Sequence, residues 1–526
     1  MLFAPWSRRA ALSLLLLVLP LSPAFADPAS DAWLEPSGRP SVQARQALTL
    51  LADAASHGLE PQDYDLTALQ QALRLADEQP GHGPALAAAL DSAMQRYLRE
   101  LHLGRVDPRR LGQDFEPPTH RGEAAFDAAA RLREALAAQR LPEAVREAVP
   151  QLPLYEQLRA ALAQLRALGE HPVGWEQPLP PLPRVPKSRA PAKLEPGHDW
   201  AGVPLLAQRL LALGDLPSLP PAPLRYEGQL VAALMRFQQR HGLEPDGVIG
   251  RATVAALELT PAQRARQVEL NLERLRWTPL MQAARMVTIN IPEFTLRAYE
   301  QSENGRIVVR ETMKVIVGKA MDTQTPVFDE AMRFIEFSPF WNVPPSIARK
   351  ETVPTLRRDP GYLAREEMEF VRADGRISTE VSAAALDEVL AGRARIRQRP
   401  GAKNALGGIK FVFPNRDNIY LHHTPAVELF SRSRRDFSHG CIRVEQPLRL
   451  AMFVLKSMPE WTEARVQAAM DSGHLQTLKL AEPIPVLIAY GTALVTEGRL
   501  HFYPDLYGHD RRLDEALLQR HRQRAR

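Results

Sequence analysis

The period of the hydrophobic pattern changes along this 526-residue chain, and that change most restricts its fold. From about residue 31 to residue 168 apolar residues recur at helical spacing. Met94, Tyr97, Leu98 and Leu101, three, four and seven apart, fall on one helical face. Between residues 171 and 198 prolines take over, and Pro-Leu-Pro-Pro-Leu-Pro-Arg-Val-Pro at 178–186 forbids regular structure. After residue 283 the pattern becomes strand-like: Val287, Ile289 and Ile291 point one way, and Asn304-Gly305 can turn a strand ending near Tyr299 into one starting at Ile307. Further strand-like runs lie at residues 313–317, 333–337, 409–413, 419–421 and 486–490. A chain of this length exceeds one hydrophobic core, so a multidomain α+β protein is expected, helical first and mainly β later.

Residues 1–26 have the form of a signal peptide: Arg8 and Arg9, an apolar run from Ala10 to Leu19, and Ala24-Phe25-Ala26 as the cleavage site. An uncleaved anchor is the alternative reading. The absence of a cysteine near the cleavage point excludes lipidation there. The formal net charge of +5, less those two arginines, is +3, too small to argue for nucleic acid as a partner. Residues 31–170 form the expected helical scaffold, and 171–198 a Pro-rich linker.

Residues 199–259 form a small three-helix module. Leu230, Leu234, Phe237 and His241 share a helical face, Gly242 is placed to end that helix, and Asp246-Gly247 supplies a turn. The text Phe237-Gln238-Gln239-Arg240-His241-Gly242-Leu243, followed by Asp246-Gly247-Val248-Ile249-Gly250, resembles the peptidoglycan-binding module of wall hydrolases and transpeptidases. His241 has no second metal ligand at suitable spacing and reads as a cap or packing residue. In the connecting helix at 260–282, Thr260-Pro261-Ala262-Gln263 spells a capping box, with Val268, Leu272 and Leu275 as the apolar face. Residues 283–506 are the β domain and 507–526 a C-terminal tail. A charged, helical insertion at 344–398 interrupts the β domain and reads as a lid over a site.

The only cysteine, Cys441, stands in Phe437-Ser438-His439-Gly440-Cys441-Ile442-Arg443-Val444, about twenty residues after Ile419-Tyr420-Leu421-His422-His423. A thiol attacks only as thiolate, so it needs a base or nearby positive charge; His422, His423, His439 and Arg443 are the candidates. Strand neighbours alternate faces, so His422 and His423 cannot both aim at one thiol. A buried structural cysteine is the alternative.

This constellation resembles the L,D-transpeptidases of the YkuD catalytic domain, in particular the large YcbB-like branch with a scaffold domain. Its signature is a histidine, about fifteen intervening residues, then Ser/Thr-His-Gly-Cys. Fifteen residues separate His422 from Ser438. The likeness extends to Asn404-Ala405-Leu406-Gly407, Lys410-Phe411-Val412-Phe413-Pro414-Asn415 and Tyr503-Pro504-Asp505. It implies Cys441 as nucleophile, His422 as general base and acid, and His423 as donor of a backbone carbonyl that orients the base. It also implies a fold of helical scaffold, peptidoglycan-binding module and mainly-β YkuD-type domain with a helical lid. The implied reaction is 3→3 cross-linking of peptidoglycan stems with loss of D-alanine, in the periplasm, without cofactor or metal. Carbapenems are the implied covalent inhibitors, and other wall-synthesis enzymes are candidate partners.

Gly440 lets the loop turn its amides toward an oxyanion. Tyr420 shares the strand face of His422 and either adds a hydroxyl or only packs. Ser438 resembles a loop-holding motif residue, and His439 reads as shaping the turn rather than moving protons. Arg443 is asparagine in some members. Arg432, Arg434 and Arg435 either attract stem carboxylates or form a solvated face. Three rivals stand beside this reading. A zinc hydrolase is disfavoured by the close spacing of His439 and Cys441 and the lack of an HxxEH pattern. The same thioester could pass to water or to a lipoprotein amine, making the chain an L,D-carboxypeptidase or an anchoring enzyme. A non-catalytic wall-binding protein is the third.

Overall fold

The computed structural model describes residues 32–115, 125–183, 191–221, 225–279, 283–321 and 323–524. The signal peptide expected at 1–26 lies outside the described residues, as does part of the proline run. Among the described residues no helix is long and apolar enough to cross a membrane.

The N-terminal half is helical: α1 (Val42–Ala52), α2 (Leu66–Glu78), α3 (Gly83–Leu103), α4 (Ala128–Ala137), α5 (Leu141–Ala148) and α6 (Pro153–Glu170), with one two-residue strand, β1 (Gln113–Asp114). Met94, Tyr97, Leu98 and Leu101 are all fully buried along α3, as their spacing requires. The small module holds three helices, α7 (Val203–Ala212), α8 (Gln229–Arg240) and α9 (Arg251–Glu258). Here His241 is buried, its ring stacked on Phe237 at 3.8 Å and facing Phe502 at 5.6 Å, with Nδ1 2.7 Å from the Phe237 carbonyl. It packs the module against the β domain.

Helix α10 (Pro261–Trp277) opens with the capping box that Thr260 and Gln263 spell, both reciprocal bonds being formed. It is polar on most faces and nonetheless buried, because it bridges the scaffold and the β domain. Its buried Glu269, Glu273, Arg274 and Arg276 are paired, while buried Arg264 lies over the Phe502 ring and donates to the Ala256 carbonyl. Glu273 accepts from Arg105 Nε at 3.0 Å and Arg276 Nη1 at 2.7 Å, and Arg276 also reaches the Tyr155 hydroxyl at 3.1 Å.

The β domain is built from β2 (Arg285–Asn290), β3 (Thr295–Gln301), β4 (Ile307–Gly318), β5 (Val327–Phe337), β10 (Ile409–Val412), β11 (Leu421–His422), β12 (Asp436–Ser438), β13 (Ile442–Val444) and β14 (Gln476–Ala489). Strand order runs β1-β5-β10-β11-β13-β4-β3-β2-β14, and β14 also pairs with β5, so the sheet closes on itself around one apolar core. Strand β12 pairs separately with β4. The scaffold strand β1 adds in parallel to the free edge of β5, Gln113 opposite Val327 and Asp114 opposite Phe328.

Two elements differ from the sequence expectation. The insertion is only partly helical. Beside helices such as α11 (Pro345–Ile347), α12 (Val353–Arg358), α13 (Tyr362–Arg365) and α14 (Ala383–Leu390), it carries a four-stranded sheet in the order β6-β9-β7-β8. Those strands are β6 (Trp341–Asn342), β7 (Met368–Arg372), β8 (Ile377–Ser378) and β9 (Ala394–Gln398). It has its own small core around Leu356, Leu363, Phe370 and Ile396. The tail is a helix, α15 (His509–Arg524), whose Leu513 and Leu517, four apart, pack on Leu111 and Leu270.

Among the described residues four buried histidines are held neutral, and the fold is expected to be acid-sensitive. Burial pushes His57, His422 and His509 down to about 3, and His241 well below its ordinary value. The unfolded chain therefore binds more protons than the folded one below about pH 6.5. The stability held by the neutral rings is full above that pH and is lost as pH falls toward 3. His57, His422 and His509 should each contribute a loss of roughly 2 kcal/mol between pH 7 and pH 5, and His241 a loss of the same sign. Urea unfolding at the two pH values checks this; equal midpoints would contradict it.

Candidate active site

Strand register decides which side chains share a face. In the parallel pair β11–β13, Leu421 lies opposite Ile442 and His422 opposite Arg443. Leu421 and Ile442 are fully buried in the β-domain core, so alternation sends Tyr420, His422, Cys441 and Arg443 to the other face. Lys410 of β10 lies opposite His422, and Glu336 of β5 opposite Lys410, extending the same row across the sheet. Lys410 Nζ sits 3.0 Å from Glu336 Oε2 and 4.5 Å from the Tyr420 ring centre. Tyr420 meets His422 edge to face at 5.7 Å.

The His422 ring is buried, and its Nδ1 lies 2.5 Å from the His423 carbonyl. A carbonyl only accepts, so Nδ1 carries the proton and Nε2 keeps its lone pair. Burial, with Arg443 adding to it, holds the imidazole at about 3 against the opposing pull of that carbonyl, so the ring is neutral at physiological pH. The His423 side chain points away, its Nδ1 accepting the Gly408 amide at 3.4 Å.

Cys441 is half-buried, and its thiol faces the Asn418 carbonyl at 3.7 Å. Burial pushes the thiol up, while Tyr420, Lys410 and Arg443 pull it back, and the net direction is upward. Near pH 7 the thiol and the imidazole on this face are therefore both neutral. Arg443 Nε is buried with no hydrogen-bond partner among the described residues, a donor left over beside the thiol.

The turn before Cys441 is held from several sides. Gly440 has φ +118°, a conformation that L side chains rarely adopt. Its N–H donates to Ser438 Oγ at 3.2 Å, Ser438 Oγ donates to the Cys441 carbonyl at 2.5 Å, and Thr325 Oγ1 donates to the Gly440 carbonyl at 2.7 Å. The Ser438 carbonyl accepts from Thr323 Oγ1 at 3.1 Å and from the Lys319 amide at 3.0 Å. A Cβ at Gly318 would lie 1.9 Å from the Thr323 carbonyl, so only glycine lets this brace close. Tyr507 adds its hydroxyl, donating to the Gly318 carbonyl at 2.6 Å.

His439 does not face the thiol. Its Nε2 lies 2.7 Å from Glu351 Oε1, which sits on a π-helical turn of the insertion, Ala348–Thr352. The insertion thereby touches the cysteine loop directly. The arginine run divides: Arg434 pairs with Asp436, while Arg435 is buried and donates to the carbonyls of Val315 and Phe294. A solvated face describes Arg432 and Arg434 but not Arg435. Thr325, Asn418, Glu351 and Lys410 carry contacts at this site that no sequence pattern assigned to them.

Comparison with known proteins follows the same division of the chain. The YkuD "L,D-transpeptidase catalytic domain" family model matches residues 284–466, the "Scaffold domain" model residues 29–162, and the "Putative peptidoglycan binding domain" model residues 201–257. A curated protein of Haemophilus influenzae, "Putative L,D-transpeptidase", is 32% identical over 255 residues, covering 48% of this chain and 50% of that protein. The chain thus spans about half the length of the curated relative it matches. Among solved structures, Bdellovibrio bacteriovorus Bd1075 gives a TM-score of 0.17 at 14% identity over 45% of this chain and 56% of that one. A fused Zn-dependent amidase/peptidase and peptidoglycan-binding protein of Clostridium acetobutylicum gives 0.16 at 12% identity over 57% of this chain and 100% of that one. Structural likeness this slight carries no argument.

Proposed function

We propose that this chain, which carries a YkuD-type L,D-transpeptidase catalytic domain beside scaffold and peptidoglycan-binding domains, makes 3→3 cross-links between peptidoglycan stems in the periplasm. The observation that carries the reading is the shared sheet face of His422 and Cys441, with the imidazole fixed as a neutral base by the His423 carbonyl.

In this account Cys441 Sγ attacks the carbonyl that joins diaminopimelate to the terminal D-alanine of a tetrapeptide stem. His422 Nε2 takes the thiol proton as the S–C bond forms. The developing oxyanion is met by amide hydrogens of the cysteine loop. Since the Gly440 amide already serves Ser438, Gly440 contributes mainly the turn, and the Cys441 amide is the better donor. The imidazolium then returns its proton to the leaving amine as the C–N bond breaks, freeing D-alanine and leaving a thioester. An amine of a second stem attacks the thioester, loses a proton to His422 and restores the thiol. Tyr420 holds the imidazole edge on. Arg443, with its spare buried Nε–H, is suited to a carboxylate of the donor stem.

Product analysis by liquid chromatography and mass spectrometry tests the acceptor. Purified protein with disaccharide-tetrapeptide should give a dimer lacking one D-alanine. Release of D-alanine without dimer would replace cross-linking by transfer to water or to another amine, and neither product would sink the enzymatic reading.

The insertion at 344–398 acts here as a lid that helps seat the donor, latched by Glu351 on His439. The pair is exposed, so its contribution is under about 1 kcal/mol, or up to roughly fivefold in affinity. Glu351→Gln should therefore raise the donor KM by about two- to fivefold with the Cys441 alkylation rate unchanged. An altered alkylation rate with unchanged KM would contradict the assignment.

A further inference from the structure

We propose that the scaffold is a working part of the active site: three consecutive scaffold residues, Gln113, Asp114 and Phe115, clamp the supports that hold Cys441, making them positioning residues for acyl transfer. The proposal rests on the reading of Cys441 as the nucleophile.

Each residue reaches a different support. Strand β1 pairs with the first two residues of β5, Val327 and Phe328, on the edge that β10 leaves open farther along. Two residues before Val327 stands Thr325, whose hydroxyl holds the Gly440 carbonyl at 2.7 Å and accepts the Gly318 amide at 2.9 Å. A shift of the start of β5 is therefore a shift of the residue preceding the nucleophile. Phe115, 7% exposed, packs into the core of the β domain rather than that of the scaffold, and anchors the short strand there. A two-residue ladder would not hold by itself.

Asp114 leads to the other side of the thiol. Its Oδ2 lies 3.0 Å from Arg416 Nη2, in the turn that runs from Asn415 to Asn418. Asn415 locks that turn, accepting the amides of Asp417 and Ile419 and donating to the carbonyls of Phe413 and Ile419. At its end Asn418, with φ +54°, presents its carbonyl to Cys441 Sγ. Gln113 completes the set. Its amide lies 3.4 Å from His509 Nδ1, and the His509 ring packs 6.3 Å from that of Tyr507, whose hydroxyl braces Gly318.

The contacts are unequal. The Asp114–Arg416 pair is solvent-exposed and weak, and Phe115 is the anchor. A scaffold whose only task was to hold domains together would meet the β domain away from these loops. Here one short segment meets the start of β5, two residues past Thr325, and the 415–418 turn that faces the thiol.

The test uses the full mature chain with Phe115→Ala, Asp114→Arg and the double variant Asp114→Arg/Arg416→Asp, at a temperature where circular dichroism shows each folded. Phe115→Ala should lower kcat for transfer about tenfold with KM nearly unchanged. It should also move the pH midpoint of iodoacetamide alkylation down, toward that of a free cysteine, as the thiol escapes its setting. Asp114→Arg should cost about threefold in kcat and the double variant should recover most of it. Folded variants with the parent kcat and alkylation profile would overturn the proposal. If Phe115→Ala does not fold, the charge-swap set decides alone, and parental kcat in both of its members overturns it. Because Cys441 is the only cysteine, alkylation reports that thiol without transfer. Failure of the nucleophile reading would show separately, as a parent that alkylates but transfers nothing.

Discussion

Cys441→Ala is expected to bring acyl transfer to background while leaving the fold in place. The thiol is the only one in the chain, and no other side chain on this face of the sheet is a comparable nucleophile near neutral pH. Its Sγ meets the Asn418 carbonyl at 3.7 Å and interacts with Tyr420, weak contacts whose loss should change stability by less than about 1 kcal/mol. The same variant should lose the covalent carbapenem adduct expected on the parent by likeness to the transpeptidases. Steady-state turnover, thermal melting and intact mass check the three statements. Turnover comparable to the parent would remove Cys441 from the mechanism.

His422→Gln is the second large effect, and its signature is a change of shape as well as of size. In the parent neither group titrates between pH 6 and pH 8: burial holds His422 near 3 and raises the thiol above its ordinary value. Acylation by a donor stem should therefore be nearly flat across that window. Glutamine fills the same space but cannot accept the thiol proton, so the variant depends on the small fraction of preformed thiolate. Its acylation should fall by about 10²- to 10⁴-fold at pH 7 and climb about tenfold per pH unit toward the thiol pKa. Stopped-flow acylation at pH 6, 7 and 8 checks this. A variant as flat and fast as the parent would assign the base elsewhere.

Where side-chain pattern and local rule act together, the sequence was readable. The capping box at Thr260 and the buried face of α3 follow from spacing alone, and the structure has both, whereas in β2 Val287 and Ile289 are buried but so are Met286 and Asn290 of the opposite face. The shared sheet face of Cys441 and His422 follows from alternation in two parallel strands, with His422 opposite Arg443, two residues beyond Cys441. Strand β1 was not legible: two residues show no period, and its partner lies more than two hundred positions away. The sheet of the insertion was hidden for a related reason, since its strands of two to five residues are separated by short helices and one charged turn. Arg435 illustrates the limit of composition. It sits in a basic run, yet donates to the Val315 and Phe294 carbonyls and is buried. Nothing in a charge run distinguishes the arginine whose donors meet carbonyl oxygens from those that meet water.

The most direct test of the account is intact-protein mass spectrometry of the mature chain mixed with a tetrapeptide donor alone and quenched in acid. The account predicts a mass gain equal to the donor less one D-alanine, mapped by proteolysis to the peptide containing Cys441 and discharged when an acceptor amine is added. No gain, a gain on another residue, or a gain that persists in Cys441→Ala would contradict it.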